Sequence, residues 1–231
     1  MVVDPSMLEA VVRSHLNLSA PRTMVVLEPL KVNIVNLVKN VFYDISVPDF
    51  PDFPERGSHN IAFGPTIYIE RSDFKETIEK GYRRLAPGQA VGLKYADYVL
   101  KFLKVHKGSD GKVSEIDVEC QSVTEAAKPK AFIHWVADPI EVEIRLYERL
   151  FRHKNPEDPA EVPGGFLEDI NSDSLTVARA VADKSLGRVK VYDRFQFERN
   201  GFFTVDKESD EERSKLVFNR TVTLKEDNKK V

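Results

Sequence analysis

Few side chains in this sequence could act on a covalent bond. His134 lies in Ala131-Phe132-Ile133-His134-Trp135-Val136, and the lone Cys120 ends an alternating run. An imidazole can serve as acid, base or ligand, and a thiol as nucleophile when its pKa is lowered. Nothing near Cys120 in sequence would lower it, and an imidazole in or beside a strand packs far more often than it reacts. No Gly-x-Gly-x-x-Gly and no phosphate loop occurs among the 11 glycines, and His-Glu-x-x-His, Cys-x-x-Cys and Gly-x-Ser-x-Gly are missing. The 37 acidic residues form no pair distinguished by spacing. Taken alone, the chain does not read as an enzyme.

Planar hydrogen-bonding groups offer a different chemistry. Arg22 follows Pro21, Arg83 and Arg84 are adjacent, and Gln196 stands three residues before Arg199. A guanidinium fork can bind a base edge or a phosphate bidentately and can also stack. A glutamine amide offers a donor and an acceptor together, which can match a uracil edge. Each has a bland reading too: a solvated loop arginine, an exposed pair beside Glu76 and Glu79, ordinary polar residues on a strand.

The elements that must carry these groups follow from the periodicity. Asp4-Pro5 starts a helix, with a capping carboxylate before a first-turn proline. Met7, Leu8, Val11, Val12, His15 and Leu16 keep helical spacing, and Pro21 forbids continuation far beyond Asn17. From Met24 the period is two. Residues 32–38, 66–70 and 91–93 read as strands, 98–105 and 113–120 as a hairpin, and 131–136, 140–146, 188–198, 201–205 and 216–224 as further strands. Three prolines bar residues 47–54 from a central strand, 155–165 is a long loop, and 206–213 is a charged hairpin tip. Many short strands at this spacing predict an all-β fold built from barrels.

Composition bounds the partners. With 231 residues the chain can bury a real core, and a formal charge of −3 gives no general attraction to nucleic acid. A nucleic-acid site must come from local clustering of Arg and Lys. One cysteine excludes an internal disulfide and a Cys-based zinc site, which fits a reducing, cytoplasmic setting. No signal-peptide pattern or membrane span is present, so no membrane partner is expected.

Seven segments together resemble glutaminyl-tRNA synthetase of the eukaryotic type, a class I aminoacyl-tRNA synthetase. Among them are Gly81-Tyr82-Arg83-Arg84-Leu85 and Phe195-Gln196-Phe197-Glu198-Arg199; the others fall at 16–22, 69–74, 130–136, 143–151 and 218–222. They come in the family's order over nearly the whole chain. Residues 152–159 and 221–227 look like the eukaryotic branch. The resemblance implies the C-terminal, anticodon-binding half of such an enzyme: two β-barrels with a short N-terminal helix. Residues 1–20 would connect to the absent catalytic domain, 21–74 with 136–231 would form the proximal barrel, and 75–135 the distal one. It implies glutamine tRNA as partner, rather than DNA, and docking in a multi-synthetase complex as a further possibility. No cofactor is expected in this chain. ATP and magnesium would belong to the catalytic domain, whose His-Ile-Gly-His and Lys-Met-Ser-Lys-Ser type motifs do not occur here.

The same resemblance assigns roles. Arg22, Gln196 and Arg199 would surround the middle anticodon base, a uracil, with Asn17 near the same loop. Arg84 would read the third base, a guanine, and Arg83 and Lys94 would attract phosphate. Strict alternation puts Gln196 and Arg199 on opposite faces, so a strand end or bulge at Arg199-Asn200-Gly201 is required. Three positions depart from the bacterial pattern. Gly81 replaces a glutamine near the third base, Gly92 an arginine near the first, and Asp52 an asparagine. The competing readings are a glutamyl-tRNA synthetase fragment and a barrel that docks protein without binding RNA.

Overall fold

Three consecutive apolar residues, Met24-Val25-Val26, divide their side chains between two cores. Val25 packs with Ile144, Phe197, Phe203 and Phe218, whereas Met24 and Val26 pack with Leu30, Ile69 and Trp135. Successive residues of an extended chain point to opposite faces, and a run apolar at every position marks a strand covered on both. The computed structural model describes residues 5–210 and 215–224, and within them two barrels share this seam.

The chain begins with helix α1 (Pro5–Ser19), followed by β1 (Arg22–Thr23), β2 (Val25–Val26), β3 (Pro29–Ile34), β4 (Tyr43–Pro48), β5 (Ser58–Phe63), β6 (Thr66–Glu70), β7 (Val91–Leu93) and β8 (Tyr98–Lys107). Then come β9 (Val113–Ser122), β10 (Phe132–Ile133), β11 (Trp135–Ala137), β12 (Ile140–Tyr147), β13 (Leu175–Ala182), β14 (Arg194–Phe197), β15 (Gly201–Val205) and β16 (Val217–Val222). One seven-stranded sheet runs β1-β14-β15-β16-β12-β13-β2, and the other β10-β7-β8-β9-β3-β6-β11. In each, the two outermost strands are consecutive in the chain and separated by one residue, Met24 in the first and His134 in the second. A single bent segment thus nearly closes each sheet on itself. The expected all-β, two-barrel fold with a short N-terminal helix is what forms.

The division of strands between the barrels differs from the expected one. Residues 21–74 were assigned with 136–231, yet β3 and β6 lie in the second sheet. β3 pairs parallel with β9 from Lys31↔Glu115 to Ile34↔Val118, and antiparallel with β6 on its other side. The first barrel therefore takes residues 22–26 and 140–222, and the second takes 29–137. Local periodicity identifies strands but does not say which partner a strand 80 residues away will find.

Smaller differences have local causes. β13 has Ala178, Ala180 and Ala182 at its inward positions, and alanine is a poor strand former, so the periodicity was not recognised. The strand expected over 188–198 shortens to β14, because residues 190–193 form a turn: Tyr192 takes φ 71° and the Asp193 N–H donates to the Lys190 carbonyl. β4 and β5 form a separate hairpin over the second barrel, burying Val47, Ile61 and Phe63, with Pro48 at a strand end as the proline argument requires. Helix α1 packs Leu16 and Val12 against Phe202 and Val222 on the outside of the first barrel. The Asp4 cap and residues 211–213 of the charged tip lie outside the described residues.

Candidate nucleic-acid interface

Besides the shared seam at residues 24–26, one turn of the first barrel docks into the second. β14 ends at Phe197, which pairs with Gly201, so Glu198, Arg199 and Asn200 form a three-residue loop. Arg199 adopts the left-handed region at φ 67°, and the Asn200 N–H donates to the Phe197 carbonyl at 3.0 Å. Gly201 has φ 136°, and a Cβ there would stand 2.9 Å from the Val222 carbonyl oxygen, so glycine is required. This is the strand end the sequence demanded.

All three loop side chains dock into the second barrel. Glu198, almost fully buried, accepts from the Lys94 ammonium at 2.6 Å and from the Tyr95 hydroxyl. Arg199 donates through Nη1 and Nη2 to the two oxygens of Asp73, each at 2.7 Å. The Asn200 amide donates to Glu70 Oε1 at 3.1 Å and to the Val25 carbonyl at 2.9 Å. Asp73 is fully buried at the end of the 3-10 turn after β6, and Arg84 Nη1 lies 3.1 Å from its Oδ1. One carboxylate therefore holds two arginines, one from each barrel. Such bidentate, charge-assisted bonds fix both distance and plane.

His134 completes the seam. It is fully buried, with Nδ1 3.3 Å from Arg199 Nη1 and Nε2 3.3 Å from Glu70 Oε1. Since the guanidinium can only donate, Nδ1 accepts and the proton sits on Nε2. Burial alone would raise the Glu70 pKa. The His134 bond and the Leu27 and Glu28 N–H groups overcome it and hold the carboxyl at about 2. Tyr82, whose hydroxyl reaches the Ser72 carbonyl, is pushed up to about 12 by burial and by the nearby Asp73 charge.

On the other side of the turn, β1 and β14 are parallel neighbours with Arg22 opposite Gln196. Arg22 is largely covered and lies 3.4 Å from exposed Asp52, a weak pair in water, and it stands close enough to Tyr95 to act on its hydroxyl. Gln196 is only 6% exposed, and among the described residues its buried Oε1 has no hydrogen-bond partner. An orphaned buried acceptor is costly, and native proteins keep one only for cause.

The structure thus brings together Arg22 with Gln196, and Arg84 with Arg199. Asn17 on α1 and Arg83 beside Arg84 are both exposed. Lys94 joins the seam, but its charge is already paired with Glu198. Sequence reasoning gave no role to Asp73, Glu198, Tyr95 or Glu70. Glu70, Asp73 and Glu198 lie inside motif segments, and Glu198 is legible there as an acid next to an invoked arginine, Arg199. Tyr95 carries no such signal, because its position depends on a left-handed turn at φ 64°.

Residues 20–121 match a family described as tRNA synthetases class I (E and Q), anti-codon binding domain, and residues 132–206 match a second model with the same description. The chain is 55% identical over 228 residues to the probable glutamine--tRNA ligase of Drosophila melanogaster, covering 98% of this chain and 29% of the relative. It is 55% identical over 230 residues to the glutamine--tRNA ligase of Bos taurus, covering 99% and 29%. Against that of Pseudomonas aeruginosa it is 43% identical over 233 residues, covering 97% and 41%. The chain therefore spans well under half the length of these relatives.

Proposed function

Because this chain belongs to the anticodon-binding domain family of the class I E and Q tRNA synthetases, we propose that it reads the anticodon loop of glutamine tRNA. Its two seam clusters would recognise separate bases. The observation that carries the reading is the orphaned Gln196 Oε1 beside Arg22. Uracil presents an N3–H donor between two carbonyl acceptors. The Gln196 oxygen accepts from N3–H, and Arg22 donates to a flanking carbonyl. Cytosine has no N3–H and would leave the acceptor orphaned. Arg84, 40% exposed on its side chain and planar, is placed to address the O6 and N7 acceptors of the third base while Asp73 holds its far edge.

We assign the chain to the C-terminal part of a cytoplasmic glutamine--tRNA ligase. The relatives named above are glutamine rather than glutamate enzymes, which favours the first reading over the glutamyl one. Ligation of glutamine to tRNA with ATP and magnesium belongs, in this reading, to a catalytic domain of the whole protein. A multi-synthetase complex is the setting in which its outer faces would meet other proteins.

The test is binding of this chain to a glutamine anticodon stem-loop at fixed low salt, beside one with the middle U changed to C. Wild type should prefer U by ~1–3 kcal/mol, the range of a good paired base contact. Gln196→Met should remove that preference, and Arg84→Ala should remove the corresponding preference at the third base while leaving the middle one. Equal weak binding to every stem-loop would reject anticodon reading by this chain.

A further inference from the structure

Phe132 is an aromatic residue in an unusual place. It is 47% exposed although it lies on β10, directly opposite Gly92 of β7. The ring rests on the glycine: a Cβ at Gly92 would fall 2.4 Å from both Cδ1 and Cε1 of Phe132. Among the described residues it packs against no other aromatic ring, unlike Phe63, Phe74 or Phe197.

Its surroundings place it on the recognition face. Ile133 and Trp135 point into the barrel core, so the alternate residues leave on the opposite face, Phe132 towards solvent and His134 into the buried seam. His134 touches Arg199. Two residues the other way, the Lys130 ammonium holds the Gln89 amide, whose nitrogen in turn holds the Arg84 and Tyr82 carbonyls. Along the chain the bare ring is thus flanked by residues that support Arg199 and Arg84, the second of which is assigned to base reading. An apolar surface of one ring, immobilised from below and open above, does nothing for the core. It suits a flat, unstacked partner.

We propose that Phe132 is a stacking platform for one base of the bound single-stranded loop, with Gly92 serving to keep the ring flat. This rests on the anticodon-loop reading above. Stacking needs only a π-face, so the platform adds affinity without choosing a base, complementing the hydrogen-bonding arginines.

The experiment uses the whole chain and stem-loops carrying a fluorescent base analogue, a pyrimidine at the first or middle anticodon position or a purine at the third. With wild type, one position should be quenched on binding. Phe132→Leu should lose that quenching and weaken binding about 5- to 150-fold, while Phe132→Tyr retains both. Gly92→Ala should reproduce the loss with the aromatic still present, because the new methyl displaces the ring. Thermal unfolding of each variant near the wild-type midpoint excludes loss through misfolding. Binding that Arg199→Ala impairs but Phe132→Leu leaves within twofold, with quenching unchanged, overturns this inference alone. Absence of binding by wild type overturns the anticodon reading and this inference together.

Discussion

At the scale of single residues, two buried carboxylates decide what the cations around them can do. Lys94 was expected among the phosphate contacts, where its loss would weaken binding evenly and reduce the salt slope by ~1. Its bond to Glu198, which is 3% exposed, changes that forecast. Lys94→Ala leaves a buried carboxylate without its cation, and removing one partner of such a pair costs about 3–5 kcal/mol. Denaturant unfolding should show a loss of that order; a change under 1 kcal/mol would mean that Tyr95 alone satisfies Glu198. Glu70 makes a pH forecast. Its folded pKa of about 2 lies below the ordinary 4.5, so the unfolded chain takes up its proton first as pH falls. The stabilisation is complete above about pH 4.5 and is lost as pH drops towards 2. It amounts to on the order of 3 kcal/mol. The difference in unfolding free energy between wild type and Glu70→Gln should shrink across that window and be flat above pH 5.

At the scale of elements, the β14–β15 turn is the part on which the site depends. Three successive side chains leave it in bonds to the opposite barrel, which requires the left-handed Arg199 and the strained position filled by Gly201. Gly201→Ala sets a methyl 2.9 Å from the Val222 carbonyl and imposes an unfavourable φ, which costs about 1–3 kcal/mol. The thermal midpoint should drop, and base discrimination should weaken although no reading residue has changed. An unaltered midpoint would show that the loop relaxes freely. This turn also marks the limit of sequence reading. Arg22, Gln196, Arg84 and Arg199 were legible because planar hydrogen-bonding groups sat in recognisable segments. The need for a strand end between Gln196 and Arg199 was legible from the period of two. What Arg199 would hold was not, since Asp73 lies 126 residues away and meets it only through barrel docking. The hairpin of β8 and β9 was visible from its glycine-bearing turn, whereas β13, with alanines inward, gave no strong alternation.

At the scale of the whole molecule, the barrels are joined by shared structure as well as by contact. Residues 24–26 supply side chains to both cores, and the adjoining loop at 198–200, bonded to the Val25 carbonyl, clamps the barrels at the same seam. Unfolding should therefore be one transition. Trp135 is the single tryptophan and reports the second barrel alone, whereas far-ultraviolet circular dichroism reports both. The two curves should coincide against denaturant; separated midpoints would show that the barrels melt independently.

The way each sheet closes carries a consequence for crowded solution. An open sheet offers its outer strand as a template on which another chain can hydrogen-bond, and that is a common route to aggregates. Here each pair of outermost strands is one bent segment interrupted by Met24 or His134, so those two strand edges are only two or three residues long. The longer open edges lie further in: among the described residues, 175–180 of β13 pair only with β12, and 101–107 of β8 pair only with β9. A third open rim belongs to the hairpin of β4 and β5, where Pro48 removes a donor at one end. Edge-to-edge assembly of this protein would begin at one of these three rims.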